Sequence, residues 1–573
     1  MDAGRGPDPP PLAAWRLGTL AVAVGIIAGL GAVVFRALIS AFHDLLFLRQ
    51  LSFTYDANLH TLASPWGPLV ILVPVAGALG VAFVVGTFAP EAKGHGVPEV
   101  MDAVYHREGR IRPVVVVIKA IASALSIGSG GSVGREGPIV QIGAAFGSTL
   151  GQVIRMPTYQ RVVLVAAGAG AGIAATFNSP LGGIAFGVEL MLPVASAAAI
   201  LPLALATVIA THIGWIFFGT SPSFEVPALA ALRPTDISFA VLPWFLVCGL
   251  LVGLLAALFT RAIYWFEDRF DAMPGNYYTR HMLGMLAVGL IIYGFVTLSA
   301  PLFGQPNHYY VQGVGYATIL DVLRGDLTAP GFLLLLVGAK LLVTCLTLGS
   351  GASGGIFSPS LFLGAALGGF MGGALESLAP GLGVPSFHFA IAGMAGMVAG
   401  ATGAVLTAII MVFEMTWNYS VIIPVILTST VAYAVRQSLS PASIYTLKLL
   451  RRGDVVPQGL QGWIVGPYRA HHLMSRDFVI AGGPAEAGGA RIALVSRDGR
   501  IEGVSIAGAS PAPYVRVSPD SRLIAILRAM EEAGAPVALV IDGGGAGTAP
   551  DVLGVITDRE VASLTRSSAR LME

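Results

Sequence analysis

Charged residues are scarce in this chain. Asp, Glu, Lys and Arg make up 11% of its 573 residues, against 55% hydrophobic residues, and the mean hydropathy is +0.77. About 25% charged residues is usual for a soluble globular domain. The composition therefore excludes that class and indicates a protein of the lipid bilayer. Because the 33 basic and 32 acidic residues nearly cancel, the net charge indicates no nucleic-acid partner.

Cysteines and the signs of a secretory leader are also few. The two cysteines, Cys248 and Cys345, lie far apart in apolar runs, as expected of small buried hydrophobic residues rather than of a disulfide or a metal site. Residues 1–14 lack a signal-peptide pattern, and we expect them to form a cytoplasmic tail. The sequence has no phosphate-binding loop, metal-ligand cluster or paired nucleophile and base. We therefore predict no enzyme activity, no metal and no cofactor in the membrane part.

Apolar runs long enough to cross a bilayer recur along the first 450 or so residues. They cover about 15–41, 68–88, 196–218, 238–262, 281–302, 331–348 and 386–413. Between 112 and 192, and again between 349 and 380, clusters of Gly, Pro and Ser interrupt the apolar sequence. Backbone in such breaks could not satisfy its hydrogen bonds in lipid. The breaks are therefore expected to line a protein interior or a water-filled cavity.

The broken segments are repeated. Residues 128–151 align without a gap on residues 349–372 with 11 identities in 24 positions, and a second pair of segments brings Glu189 onto Glu414. We place the two halves at about 15–262 and 263–452. Matched, interrupted hydrophobic segments are typical of transporters that bind substrate near the membrane midplane. Because each Gly-rich break leads into a helix, two helix N-termini with unpaired N–H groups would create a site for a small anion.

Three short motifs and a tyrosine support a resemblance to a known family. "GHGVP" (94–98), "GREGP" (134–138) and "GIFSP" (355–359) occur in order, followed by Tyr445. Over about residues 15–452 the chain resembles the CLC family of chloride channels and chloride/proton exchangers. The resemblance implies an all-α polytopic membrane protein with inverted duplicated halves and broken half-helices. It also implies chloride or a similar anion as substrate, protons acting at a gate, a homodimer, and a plasma or inner membrane location with both termini cytoplasmic.

By the same resemblance Glu136 is the gate. An ionised carboxylate can occupy the outermost anion position and block it, whereas the protonated side chain loses that attraction and swings away. The alternative is that Glu136 only caps a helix N-terminus. Arg135 is expected to fix the loop rather than bind the ion. Lys119 could add positive potential near the pore or be a snorkelling or internally paired lysine.

The anion ligands also follow from the resemblance. We expect the backbone N–H groups of Gly137, Ile356 and Phe357 to face the anion, and the Tyr445 hydroxyl to donate from the cytoplasmic side. The alternative for Tyr445 is an interfacial aromatic residue that anchors a helix end.

Two positions depart from the family pattern. His95 stands where the family usually has a serine that donates to the central anion. Imidazole can donate an N–H, so the anion could be nitrate or fluoride rather than the favoured chloride, unless His95 is a turn residue that points away. Leu190 replaces the inner proton-accepting glutamate that usually follows the position of Glu189, for which we expect a structural role. This favours passive, channel-like conduction, with proton-coupled exchange as the alternative.

The composition changes after residue 452. Residues 453–573 are expected to form a linker and a small cytoplasmic α/β domain that resembles a CBS-domain pair, with a degenerate first copy (about 466–508) and a better second copy (about 515–566). Because Thr and Asp of such modules can hold a ribose, Thr557 and Glu560 are candidates for weak binding of an adenine nucleotide. The alternative is a dimerisation or regulatory cap without a ligand.

Overall fold

The computed structural model divides the chain into two compact units, Met1–Asp454 and Val455–Glu573. The residues that it describes are 9–193, 196–226, 239–380, 385–454, 469–482, 491–497, 500–506, 509–521, 523–541 and 551–557. Glu560 lies outside them. Each unit is considered by itself.

The described part of the first unit consists of seventeen α-helices and short 3₁₀ or π segments. The α-helices are α1 (Ala14–Leu48), α2 (Val73–Phe88), α3 (Val97–His106), α4 (Val114–Gly128), α5 (Glu136–Val153), α6 (Thr158–Phe177), α7 (Pro180–Phe186), α8 (Ala197–Phe218), α9 (Leu242–Ala272), α10 (Tyr277–Phe303), α11 (Tyr316–Arg324), α12 (Pro330–Ser350), α13 (Phe357–Leu378), α14 (Ser386–Thr402), α15 (Val405–Thr416), α16 (Ile422–Leu439) and α17 (Ile444–Arg451). The 3₁₀ segments are Gly67–Leu72, Pro90–Ala92, Phe239–Val241 and Tyr419–Val421, and Gly187–Met191 is a π-turn.

Nine helical segments among the described residues are long and apolar enough to cross a membrane. Six of the seven predicted apolar runs each coincide with one of them, whereas the run 386–413 does not. It is broken at Gly403, whose φ of +83° ends α14 before α15 begins at Val405. The predicted single span is therefore wrong there, because apolar composition does not report a left-handed turn.

The first unit is a duplicated structure. Helices α1–α8 and α9–α16 follow the same order of long and short elements, with a short helix at α3 and α11 and a Gly-rich break before α5 and α13. The junction lies between Phe218 and Leu242. The predicted boundary at residue 262 is therefore wrong, since it falls inside α9. The apolar run 238–262 opens the second half instead of closing the first.

Glycines let helix backbones touch at equivalent places in both halves. A Cβ on Gly143 of α5 would overlap the carbonyl oxygen of Gly168 on α6, and a Cβ on Gly364 of α13 would overlap that of Gly393 on α14. Small residues at such crossings replace the hydrophobic drive that helices lack in lipid. Much of the high glycine content is thus explained by helix packing.

The second unit contains two three-stranded sheets of the same topology. In each, the first two strands are parallel and the last two antiparallel. The sheets comprise β1 (Val479–Ala481), β2 (Ile492–Arg497) and β3 (Arg500–Ile506), and β4 (Tyr514–Val517), β5 (Val537–Ile541) and β6 (Val552–Thr557). Buried aliphatic residues of both sheets form one core. The helices α18 (Ala470–Leu473) and α19 (Leu523–Glu532) pack on the second sheet, which gives the small α/β unit predicted from the sequence.

Candidate anion-binding site

The three Gly-rich loops meet inside the first unit. The N–H of Gly134 donates to the oxygen of Gly355 at 2.7 Å, and the N–H of Gly355 donates back to Gly134 at 2.7 Å. In the third loop the N–H of Gly94 donates to Ala352 at 3.0 Å and its oxygen accepts from Gly354 at 3.2 Å. The two duplicated loops are therefore in direct contact, in the register that the sequence alignment gives.

Glycine is required where these loops touch. Gly96 has a φ of +87°, a conformation that strains other residues. A Cβ on Gly137 would overlap the carbonyl oxygen of His95, and one on Gly355 would lie 2.7 Å from the nitrogen of Gly137. The glycines thus bring the N-terminus of α5 and the approach to α13 together.

The Glu136 carboxylate lies at the N-terminus of α13. Glu136 is 1% exposed and is the first residue of α5. Its Oε1 accepts from the Tyr316 hydroxyl at 2.5 Å and from the Ser358 hydroxyl at 2.6 Å, and its Oε2 accepts from the Ser358 N–H at 3.3 Å. Tyr316 and Ser358, which surround the carboxylate, are called the carboxylate site below. Glu136 therefore caps a helix of the other half, at a position where the helix dipole favours an anion.

The amides predicted as anion ligands are buried. Gly137, Ile356 and Phe357 lie at the first turns of α5 and α13, and Ile356 and Phe357 are 1% and 3% exposed. Among the described residues, their N–H groups donate no hydrogen bond. Buried amides without a partner are rare in proteins and are expected to find a ligand or water.

Tyr445 is held near the same place by the start of α17. Ser443 caps this helix, and the Tyr264 hydroxyl donates to the Ile444 oxygen at 2.5 Å, which fixes the backbone beside Tyr445. Tyr445 is 2% exposed, and Tyr264, which binds the adjacent Ile444 oxygen, also packs on the ring of His95. Its hydroxyl makes no hydrogen bond within the described part of the chain.

His95 is buried beside Tyr264. Its side chain is 3% exposed, its ring centroid lies 6.2 Å from that of Tyr264 in an edge-on arrangement, and its Nδ1 has no hydrogen-bond partner among the described residues. The same loop carries cationic neighbours, since a Cβ on Gly94 would lie 2.9 Å from the Lys448 Nζ. One imidazole nitrogen beside Tyr264 is therefore buried with its hydrogen-bonding capacity unused by the described residues.

Lys119 is internally paired, as one of its two predicted alternatives stated. Its buried Nζ donates to the oxygens of Ala92 at 2.9 Å and Gly94 at 2.7 Å. Lys340 does the same in the second half, where it donates to Val311 at 3.0 Å and Gly313 at 2.9 Å. Each lysine thus fixes the loop before a short helix.

An ion-pair cluster lies at the start of α3. The Glu99 carboxylate is 3.4 Å from the Lys448 Nζ and accepts from Arg452 at 2.9 and 3.1 Å. Burial alone would raise the pKa of Glu99, but Lys448 and Arg452 outweigh it and hold the pKa below its usual range. Glu99 is therefore ionised and ties α3 to α17.

Glu189 and Glu414 cap helices across the duplication. Glu189 accepts from the N–H of Leu406 at 3.1 Å and from the N–H and hydroxyl of Thr407 at 2.8 and 2.7 Å, at the start of α15. Glu414 accepts from the Ser179 hydroxyl at 2.5 Å and from two amides at the start of α7. These contacts are of the kind expected for a structural role of Glu189 at a helix end.

Arg135, expected to fix the loop rather than bind the ion, contacts the ring of Tyr316 and forms no ion pair within the described part of the chain. Its guanidinium lies 5.1 Å from the centre of the Tyr316 ring, and its Nε is buried without a partner among the described residues. The expected structural role is thus limited to the contact with Tyr316.

Two further groups of residues do not contribute to this site. Thr557, at the end of β6, is buried, and its predicted companion Glu560 lies outside the described residues. In the first unit the ligand atoms of Asp102, His106 and Asp454 lie within 4.8 Å of one another, a grouping that could hold a metal ion and that the sequence did not suggest. Arg107, 2.6 Å from Asp102, already compensates part of its charge.

Sequence reasoning missed four residues of the site. They are Tyr264, Tyr316, Lys340 and Ser358. Ser358 stands within "GIFSP", and its alignment on Gly137 could have drawn attention to it. Lys340 could have been found by extending the repeat back to Lys119. No signal in the sequence places Tyr264 or Tyr316 here, because their distances to the site are set by tertiary packing.

Comparison with known proteins agrees with this architecture. The model of the family described as "Voltage gated chloride channel" matches residues 77–437. The H(+)/Cl(−) exchange transporter ClcA of Vibrio vulnificus (strain YJ016) is 34% identical over 452 residues, which are 76% of this chain and 89% of that protein. The ClcA of Yersinia pestis bv. Antiqua (strain Angola) is 32% identical over 439 residues, 75% of this chain and 87% of the relative.

Solved structures have the same fold. A slow cyanobacterial Cl−/H+ antiporter superposes with a TM-score of 0.64 at 28% identity and covers 76% of this chain and 98% of its own. A eukaryotic CLC transporter gives a TM-score of 0.63 over 95% of this chain and 98% of its own, at 19% identity, which concerns the fold alone. The predicted fold class is confirmed, and the protein is an integral, multi-pass membrane protein. The chain therefore belongs to the voltage-gated chloride channel (CLC) family.

Proposed function

We propose that the protein exchanges chloride for protons across the membrane. The named relatives are H(+)/Cl(−) exchange transporters, and a similar solved structure is a Cl−/H+ antiporter. They favour exchange, the alternative considered from the sequence, over the passive conduction that Leu190 suggested. The observation that carries the proposal is the buried Glu136 carboxylate at the N-terminus of α13. A carboxylate there excludes an anion and can also carry a proton.

The exchange follows from competition for one position. Ionised Glu136 accepts hydrogen bonds in the carboxylate site, so an incoming chloride meets a fixed negative charge. A proton on the carboxylate removes that charge, the side chain leaves, and chloride takes its place. Chloride is then bound by the amides of Gly137, Ile356 and Phe357, with the Tyr445 hydroxyl as a further donor. When chloride has left, Glu136 returns and releases its proton to the other side.

Leu190 requires another proton route on the inner side. Its side chain is apolar and mostly buried, so it cannot relay a proton, and Glu189 is occupied with capping α15. Protons must then reach Glu136 through water. Coupling would therefore depend on Glu136 alone among the acids near the anion site.

The test is flux measured with purified full-length protein in liposomes. With equal pH on both sides, an outward chloride gradient should drive proton uptake into the liposomes. Glu136→Gln should abolish this proton uptake while chloride efflux continues. Glu376→Gln, the same change at an exposed residue of α13, is the matched control and should leave both fluxes intact. Chloride efflux by the unmodified protein without any proton movement would overturn exchange and support passive conduction.

The identity of the anion depends on His95, which stands in place of the usual serine. We propose that its imidazole contributes to the central site and that chloride remains the main substrate. A neutral hydrogen bond contributes about 0.5–1.5 kcal/mol, so His95→Ser should change the ratio of nitrate to chloride flux by a factor of about 2 to 10. Equal flux ratios for chloride, nitrate and fluoride in both proteins would remove His95 from the site.

We also propose that the protein is a homodimer in the plasma or inner membrane, with both termini cytoplasmic. The second unit is proposed to be of the CBS type and to bind an adenine nucleotide weakly at Thr557. These proposals are supported by the sequence resemblance and, for the second unit, by its two sheets of equal topology.

A further inference from the structure

A small cavity lies next to the gate and is lined by two arginines. Arg36 from α1 and Arg135 from the loop before α5 contribute their side chains, together with Tyr55 and the aliphatic residues Ile39 and Ile127. We call this space the arginine cavity. It is separate from the carboxylate site, and neither His95 nor Tyr445 lines it.

The arginine cavity has an incompletely compensated positive charge. Arg36 lies 3.7 Å from Asp56 and stacks over the Phe218 ring at 4.5 Å. Arg135 forms no ion pair with any described acid, Glu136 included, and its Nε is buried without a partner. Removing a guanidinium partly from water costs free energy when no anion compensates its charge. Among the described acids, Asp56 alone forms an ion pair with either guanidinium.

The cavity is directly connected to the gate. The Arg135 guanidinium packs on the ring of Tyr316, whose hydroxyl binds the Glu136 carboxylate. The loop that supplies Tyr55 is fixed to the same helix, because the N–H of Ala317 donates to the Ala57 oxygen at 3.0 Å. A ligand between the guanidiniums would thus lie one residue away from the group that opens the pore.

We propose that the arginine cavity is a second anion-binding site, in which Arg36 and Arg135 hold a small monovalent anion beside the gate. The space is comparable to that of a single ordered water, so the ligand is a halide or an anion of similar size. Arg36 and Tyr55 precede the residues matched by the family model, 77–437, whereas Arg135 lies within them. We further propose that this site is a reservoir for the transported anion, and that part of the proposal rests on the proposed function.

Anomalous diffraction from crystals of the full-length protein grown in sodium bromide tests the site directly. A bromide peak between the Arg36 and Arg135 guanidiniums is expected, in addition to a peak near Tyr445. An empty arginine cavity with bromide bound near Tyr445 would overturn the inference and leave the proposed function intact. Bromide in the arginine cavity of a protein that moves no protons would support the second anion site and overturn the proposed exchange.

Bromide titration calorimetry provides a second measurement with matched variants. Arg36→Gln should lower the number of bromide ions bound per chain or weaken the second binding event about tenfold, whereas Asp56→Asn, which removes the competing carboxylate, should strengthen it. Arg49→Gln removes one positive charge at the end of the same helix, outside the cavity, and should bind like the unmodified protein. If Arg36→Gln and Asp56→Asn both match Arg49→Gln, the site does not exist.

Discussion

At the scale of single residues, two hydroxyl groups hold the buried Glu136 carboxylate. Tyr316 and Ser358 both donate to Oε1 of Glu136, and an amide donates to Oε2. Of the residues that the structure describes, no positive side chain binds the carboxylate, and Arg135 stacks on Tyr316 instead. Hydrogen bonds are strong enough to hold an ion and weak enough to release it, which a transport cycle requires.

Tyr316→Phe should weaken this hold without removing the ring. A hydrogen bond to a charged group contributes about 1.5–3 kcal/mol, so chloride should displace the carboxylate between about 10-fold and 150-fold more readily. Calorimetry should show a correspondingly lower dissociation constant for chloride. Tyr310→Phe is the control, because its hydroxyl donates to the Pro306 oxygen away from the site. Unchanged affinity in Tyr316→Phe would mean that Ser358 alone holds Glu136.

The sequence can predict those residues whose roles depend on local spacing in the chain, and not those whose roles depend on tertiary contacts. Glu136 and Gly137 were found because they stand in a short motif at a helix start, where local spacing determines the chemistry. Tyr316 lies 180 positions from Glu136, and no local pattern encodes that contact. His95 was found as a departure from a motif, whereas Tyr264, which it packs against, was not.

At the scale of secondary-structure elements, hydropathy predicted the helices that meet lipid and missed some that do not. The most apolar stretch of α6 is 94% buried within the protein, and its mean hydropathy is only 1.4, against 2.3 for α1. A helix surrounded by other helices does not need side chains suited to lipid, and α6 instead uses small residues for packing. Composition alone therefore underestimates the innermost layer.

The glycine crossings of that layer are open to test. Gly364→Ala would force α13 away from the Gly393 carbonyl and should cost about 1–3 kcal/mol through overpacking. A lower unfolding temperature in detergent, followed by intrinsic fluorescence, is the expected result. Gly373→Ala is the control on the same helix, because a Cβ at Gly373 would have no neighbour closer than 3.6 Å. This variant should unfold at the temperature of the unmodified protein or above it. Equal behaviour of the two variants would argue against the close crossing.

The helix caps across the halves lead to a prediction about coupling. Glu189→Gln loses a charged acceptor at the start of α15, and we expect the unfolding temperature to fall, since such bonds contribute about 1.5–3 kcal/mol each. Proton uptake driven by chloride should persist, because the Glu189 carboxylate is engaged in capping α15. Glu414→Gln, its counterpart at α7, should behave alike. Lost coupling in Glu189→Gln at unchanged stability would instead assign Glu189 to the proton route.

At the scale of the whole molecule, every residue proposed to bind the anion lies in the first unit. Glu136 and the ligands proposed for the transported anion fall between Gly94 and Tyr445, Arg36 of the arginine cavity lies on α1, and the unit ends at Asp454. The sequence predicted this division from a loss of apolar runs, which is a global feature of composition. It could not locate the junction of the halves, because α8 and α9 are both apolar and only their place in the repeated order distinguishes them.

A chain that ends at Asp454 should therefore still exchange chloride for protons. Its helices bury their own core and its carboxylate site is complete, so reconstituted protein should show chloride-driven proton uptake that Glu136→Gln abolishes. If the second unit binds an adenine nucleotide, the full-length protein should respond to added ATP, ADP or AMP, and both the truncated chain and Thr557→Ala should lose the response. A truncated chain that is folded and monodisperse but inactive would show that transport requires the second unit. In that case the small sheets would be part of the transport machinery rather than an appended regulator.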